Sequence, residues 1–294
     1  MSTQLLVAGS IALDHLEGPF GTVEDELGGS ALYFALAASL IVPVRVVAAV
    51  GKEEAHRVAA VVGARPIDLS LMDVLDSPTY RWRARQEQGR NIDGGSRDSI
   101  YDRWQPRLPE RFRGWSFAGS ARPDRQAQIA AGLPGSQLLA ADAMLSYVRI
   151  QPAETRQVLR EVGWYFCNRE EFGPLGGEDP QEFRRAWSLD GLVVKAGPGG
   201  MKAFTDEGSI HVPALTSHPV VDTTGAGDAA AAGMLAHWLK AGGDHRTLEE
   251  SLLWGVACAS ITIEDIGLRS IARATADQLA ARVEEVKQCL RRES

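Results

Sequence analysis

Short apolar runs separated by helix-forming stretches recur along most of this 294-residue chain, and that alternation restricts it to a sheet layered between helices. Apolar runs at residues 4–9, 44–50, 67–74, 115–119, 137–141, 164–167 and 191–195 read as strands. Helix-like segments at 29–40, 53–62, about 124–131 and 154–161 fall between them. Three more helices are expected in the last third: one after Gly227, one over roughly 247–264 and one over 275–291. The expected fold class is α/β, with a central, mostly parallel sheet flanked by helices in a single domain spanning residues 1–294. Antiparallel edges to that sheet stay open. Hydrophobic residues make up 45% and charged residues 23%, enough apolar material for a sizeable core.

One region breaks the rhythm. Residues 77–113 are rich in Arg, Gln, Asp and Gly. Thr79-Tyr80-Arg81-Trp82-Arg83-Ala84-Arg85 alternates as a strand with two unlike faces does, Tyr80, Trp82 and Ala84 on one side and the arginines on the other. Residues 89–99 read as a polar, glycine-containing loop. The segment is an excursion from the sheet and a candidate β lid, although an ordinary surface hairpin fits the same residues.

The net charge of −7 argues against nucleic acid as the main partner. Cys167, Cys258 and Cys289 are widely spaced and form no metal or redox motif, as suits a reducing compartment. The first apolar run is too short to span a membrane and lacks a basic flank, so a cytoplasmic location without membrane partners is expected.

Three segments carry chemistry. Asp222-Thr223-Thr224-Gly225-Ala226-Gly227-Asp228 precedes an alanine-rich run that reads as a helix. A helix N-terminus presents unpaired amides and the positive end of the dipole, a place for an anion. Gly225 and Gly227 carry no side chain to hold a ligand away from those amides. Asp228 reads either as an acid in the first helical turn or as a base beside an anion hole. Asn168-Arg169-Glu170-Glu171 lies where a strand gives way to a helix. Asn168 and Glu171, three apart, fit a capping pair or a pair that steers the waters of Mg²⁺. Lys195-Ala196-Gly197-Pro198-Gly199-Gly200 ends a strand in a turn that permits close approach of a nucleotide, without the spacing of a dinucleotide fingerprint.

Together these segments resemble the PfkB family of carbohydrate kinases, also called ribokinase-like. Gly9-Ser10-Ile11-Ala12-Leu13-Asp14-His15 is similar to the family's first strand and its substrate-binding aspartate. Leu27-Gly28-Gly29-Ser30-Ala31 looks like its di-glycine loop, Asn168–Glu171 its N-x-x-E motif, and Asp222–Asp228 its D-T-x-G-A-G-D signature. The resemblance implies a ribokinase-like fold and ATP-dependent phosphoryl transfer to a hydroxyl of a sugar or cyclitol, a nucleoside being the alternative acceptor. A non-catalytic nucleotide- or sugar-binding regulator on the same scaffold is the rival, which the presence of Asp228 disfavours.

In that scheme Asp228 is the catalytic base, and the amides of Gly225, Ala226 and Gly227 form the anion hole. Asp14, Gly28, Gly29 and Tyr33 hold the acceptor. Lys195, Gly197, Gly200 and Thr223 lie at ATP, and Asn168 and Glu171 act on Mg²⁺ through water. ATP and Mg²⁺ are the implied cofactors, a monovalent cation stays an open addition, and the assembly is a monomer or homodimer. Two departures stand out. Relatives usually have Asn soon after the di-glycine, where this chain has Ser30-Ala31-Leu32-Tyr33-Phe34, and many carry Asp-x-Asn where this chain has Asp142-Ala143-Met144. Residues 260–267 and 141–148 look more like the inositol-kinase branch.

Overall fold

The computed structural model describes residues 4–87 and 90–293. The expected main strands form: β1 (Leu5–Ala8), β4 (Val44–Gly51), β5 (Ile67–Leu75), β8 (Trp115–Ala118), β9 (Leu138–Asp142), β10 (Trp164–Asn168) and β11 (Gly191–Lys195). Between them lie β2 (Ala12–Gly18), β3 (Gly21–Gly28), β6 (Tyr80–Glu87) and β7 (Arg90–Arg97), and after them β12 (Met201–Thr205) and β13 (Gly208–Val212). Nine strands make one sheet in the order β13-β12-β11-β10-β9-β8-β1-β4-β5. From β11 to β5 all pairings are parallel, and β12 and β13 add the antiparallel edge.

Side-chain alternation explains why the central strands are apolar throughout. Leu5 and Val7 of β1 enter one core, and Leu6 and Ala8 enter the other. Both faces of the sheet are covered, so no position can be polar without cost. The first core also holds helix Ser30–Ala38 and the pair Ala226–Lys240 and Leu248–Thr262. The alanine-rich run is needed for that pair as much as for helix propensity. A Cβ at Gly233 would sit 2.5 Å from the Trp254 carbonyl, and one at Gly255 would sit 2.6 Å from that of Ala230. The two helices approach that closely because their facing residues are small. Cys167 and Cys258 are buried in the two cores, Cys289 is half-buried, and all three are free thiols.

The excursion differs from expectation in extent. A second sheet has the order β3-β2-β6-β7, so half of it comes from residues 12–28 rather than from 77–113. Residues 90–97, expected as loop, are a strand paired antiparallel with β6; Gly89 lies outside the described residues. Polar side chains do not prevent a strand here, because most of β7 faces solvent and ladder hydrogen bonds need only the backbone. The alternation in β6 is as expected: Tyr80 and Ala84 are buried, Trp82 half-buried, and Arg83 and Arg85 exposed. No described helix is long and apolar enough to cross a membrane.

Candidate active site

The chain leaves β1 for β4 on one side and returns to β8 on the other, so the strand order reverses at β1. In open parallel sheets ligands bind at such a point, outside the C-terminal strand ends. Asp142, Asn168 and Lys195 end β9, β10 and β11, and register places Phe166 beside Asp142 and Asn168 beside Lys195.

Gly225 caps helix Ala226–Lys240 with a left-handed φ of 73°. A Cβ there would also overlap the Tyr33 ring, so glycine is required twice over. Tyr33 is 1% exposed and packs beneath the turn; the structure places its ring under the anion loop rather than open to solvent. The turn is further held by Asp222, buried, whose carboxylate accepts from the Thr224 amide at 2.9 Å, the Thr224 hydroxyl at 2.7 Å and the Gly267 amide at 2.9 Å. Gly227 leaves room for a cation, since a Cβ there would stand 2.8 Å from Lys195 Nζ.

The Lys195 ammonium lies 3.7 Å from Asp142 Oδ2. Burial opposes its charge, but Asp142, Glu171 and Asp228 around it hold it protonated above the ordinary lysine value. Burial also pushes the carboxyls up: Glu171 to about 7 and Asp142 to about 6, with Lys195 pulling each back down. Asp228 is raised well above the usual range, by burial and then by Asp142. Asp142 and Asp228 carry like charges in one site, and the Asp142 carboxylate adds to burial in raising Asp228. Asp142, noted in the sequence only as a departure, is therefore part of the site. Its signal was an acid ending an apolar strand at the C-terminal side.

Asn168 and Glu171 form a complete capping box on helix Arg169–Phe172. Asn168 Oδ1 accepts from the amides of Glu170 (2.8 Å) and Glu171 (2.9 Å), and the Asn168 amide donates to Glu171 Oε2 at 2.8 Å. These contacts engage Asn168 Oδ1 and Glu171 Oε2. Among the described residues no three His, Cys, Asp or Glu side chains are grouped to hold a metal directly. Buried Asp142 Oδ1 has no hydrogen-bond partner. Oxygens of this kind suit a hard cation that keeps most of its own water.

On the acceptor side, Asp14 of β2 is 3% exposed, its carboxyl raised by burial and by the nearby Asp222 and Glu26. Gly28 makes space for it, as a Cβ there would overlap the carboxylate. Gly29, at φ 99°, lets the chain pass 2.5 Å (Cβ position to oxygen) from the Ser10 carbonyl. Gly197 (φ 55°) borders open space, whereas a Cβ at Gly200 would overlap the Val212 carbonyl, so Gly200 serves the β12–β13 edge. The small sheet reaches across to the glycine turn: Gln86 Nε2 donates to Thr223 Oγ1 at 3.4 Å and Asn91 Nδ2 to Thr224 Oγ1 at 3.0 Å. Sequence reasoning missed both contacts, which span more than a hundred residues.

The description "pfkB family carbohydrate kinase" matches residues 137–275. Over 138 residues the chain is 39% identical to the ATP-dependent ribose-1-phosphate kinase of Halopiger xanaduensis, covering 47% of this chain and 44% of that relative. The chain thus aligns with less than half the length of the curated relatives it matches. In structure it is similar to the nucleoside kinase of Methanocaldococcus jannaschii, with TM-score 0.76, 20% identity, and coverage of 96% of this chain and 98% of that one. It is likewise similar to the Burkholderia thailandensis nucleoside kinase in complex with ADP-inosine, with TM-score 0.78, 18% identity, and coverage of 96% and 95%. The fold is ribokinase-like.

Proposed function

We propose that the chain, whose residues 137–275 match the pfkB family of carbohydrate kinases, transfers the γ-phosphoryl group of ATP to a hydroxyl of a sugar or nucleoside. The observation that carries this reading is Asp228, a half-buried carboxyl in the first turn of helix Ala226–Lys240, beside glycine amides and the Lys195 ammonium.

Asp228 in its carboxylate form takes the proton of the attacking hydroxyl, and its raised value makes it a stronger base than a solvated aspartate. The amides of Gly225, Ala226 and Gly227 lie at the positive helix end and stabilise charge on the transferring group. Lys195, against Gly227, adds a full positive charge at the same place. Positioning and charge stabilisation of this kind are most of what phosphoryl transfer asks of a protein. Mg²⁺, when bound, neutralises the ATP phosphates, and Glu171 with the unpartnered Asp142 oxygen fits its water shell. Gly197 and Thr223 border the ATP side, and Asp14 holds the acceptor hydroxyls. The four-stranded sheet acts as the lid, a role that the Gln86 and Asn91 contacts on the turn support, and its closure excludes water as a competing acceptor.

The relatives named for ribose 1-phosphate and nucleosides support a ribose-containing or sugar acceptor. A cyclitol rests only on the likeness of residues 141–148 and 260–267 to the inositol-kinase branch. The test is ATP turnover with a panel of sugars, cyclitols, sugar phosphates and nucleosides at fixed ATP and Mg²⁺, with Asp228→Asn alongside. We expect one class to be phosphorylated, and the variant to lose about 10²–10⁴-fold in kcat while still binding ATP. Near-normal turnover by Asp228→Asn removes the base from this mechanism.

A further inference from the structure

The four-stranded sheet meets the support of the anion turn at both of its edges. On the β6–β7 side the contacts are direct, from Gln86 and Asn91 to Thr223 and Thr224. On the β3 side the contact is ionic and joins residues 243 apart in the chain. Arg269, which opens the short helix Arg269–Arg273, donates from Nε to Glu26 Oε1 at 3.1 Å and from Nη2 to Glu26 Oε2 at 2.8 Å. Two parallel bonds of this kind make a fork, the geometry in which an arginine–carboxylate pair is strongest and most directional. A Cβ at Gly267 would stand 2.7 Å from Glu26 Cγ, so the Glu26 side chain lies directly on the Gly267 backbone. The Gly267 amide donates to one oxygen of Asp222, and the other Asp222 oxygen holds Thr224. Glu26 also stands opposite Asp14 in the β2–β3 register. Beside the pair a cavity of about 150 Å³ lies between β3, helix Ala55–Val62 and helix Arg269–Arg273. Packing is incomplete there, and the fork supplies the tie that close packing does not.

We propose that Glu26 and Arg269 are positioning residues that make the small sheet and the anion turn move as one unit, so that nucleotide phosphate bound at residues 225–227 tightens β2 and β3 around Asp14. Neither residue touches the reacting atoms; both act through Gly267 and Asp222. The neighbouring charges are engaged elsewhere: Asp265 by Arg273, and Arg57, across the cavity, by Glu54. The fork therefore joins the strand beside the acceptor carboxylate to the loop that shapes the phosphate site. By linkage the effect is reciprocal, and an acceptor that draws β2 and β3 inward favours the turn geometry that binds phosphate.

This coupling rests on the kinase reading, and its test needs no acceptor. The probe is Mg²⁺ with AMP-PNP, an ATP analogue that does not transfer its phosphoryl group, and the readout is amide hydrogen exchange in the full chain. In wild type the nucleotide should slow exchange at residues 222–229, at 21–28, and at 80–87 and 90–97. In Glu26→Gln and in Arg269→Met, protection at 222–229 and in β6 and β7 should stay, because Gln86 and Asn91 are untouched. Protection at 21–28 should fall about three- to tenfold, as fits one well-formed but partly solvated ion pair. The double variant should lose no more than the worse single variant, since the two residues act as a unit. A pair that only stabilised the fold would speed exchange in all these segments alike. Nucleotide protection at 21–28 that survives in both single variants, losses that multiply in the double variant, or equal losses in every segment would each overturn the positioning role. Wild-type protection at 222–229 without any at 21–28 overturns it as well, and leaves the kinase reading standing. No protection at 222–229 in wild type removes the kinase reading and the coupling with it.

Discussion

Lys195→Met removes a half-buried ammonium from among three carboxyls, and its effect can be worked from the geometry. Nζ stands 3.7 Å from Asp142 Oδ2, with Asp228 and Glu171 also facing it. At an effective dielectric of about 20, one such pair attracts by about 4–5 kcal/mol before desolvation is subtracted. Removing one member of a buried pair typically costs about 3–5 kcal/mol, because the other charge is left uncompensated. Methionine keeps the length and most of the packing, so the loss is of charge. The cost depends on pH, with a definite sign. Folded Asp142 and Glu171 titrate at about 6 and about 7, above their ordinary 3.8 and 4.5. Between those limits the folded state holds more protons than the unfolded chain, so stability falls as pH rises through the window. Without the ammonium both values rise further and the window extends upward. The variant should lose little at about pH 5, where the carboxyls are protonated, and about 3–5 kcal/mol at about pH 8. Urea unfolding at the two pH values measures this. The acid limb of the kcat profile should move up as well, because Asp228 becomes harder to ionise. An equal loss at both pH values, or none at the higher one, refutes Lys195 as the charge that balances this cluster.

Glu171→Gln should flatten the fall in wild-type stability between about pH 5 and about pH 8, gaining on wild type as pH rises, since the carboxyl with the raised value is gone. If Glu171 also steers Mg²⁺ waters, the Mg²⁺ concentration for half-maximal rate rises in the same variant; an unchanged value leaves Asn168 and Glu171 as a helix cap alone. Gly225→Ala combines a positive φ, costing about 1–2 kcal/mol, with overlap on the Tyr33 ring, costing about 1–3 kcal/mol. Tyr33→Leu in that background should recover only the packing share, which a double-mutant cycle in urea reads directly. Stability of Gly225→Ala equal to wild type would refute both costs.

The parts legible in the sequence are those set by neighbours along the chain. Leu5–Ala8 and Gly191–Lys195 read as strands because a sheet covered on both faces leaves an unbroken apolar run. The turn at Gly225 and the helix after it were legible because glycine and alanine propensities act locally. Residues 12–28 and 90–97 were not read as strands. Their sheet is small, and charged residues such as Glu24, Asp25 and Asp93 occupy its exposed positions, so the apolar alternation is faint. They are strands because β2 pairs with β6, and β6 with β7, a decision made between segments rather than within them.

The same division runs through the site. Asp228 and its glycines could be identified from one heptapeptide, and the capping pair Asn168 and Glu171 from one tetrapeptide, since each motif is local in the chain. Asp142 and Lys195 became partners only when β9, β10 and β11 aligned in register and brought their C-terminal ends side by side. Asn91 reaches Thr224 from an element more than a hundred residues earlier in the chain. Local sequence encodes backbone preference, whose range is a few residues. Which buried charges compensate one another depends on side chains distant along the chain sharing one low-dielectric space, and only the tertiary structure decides that.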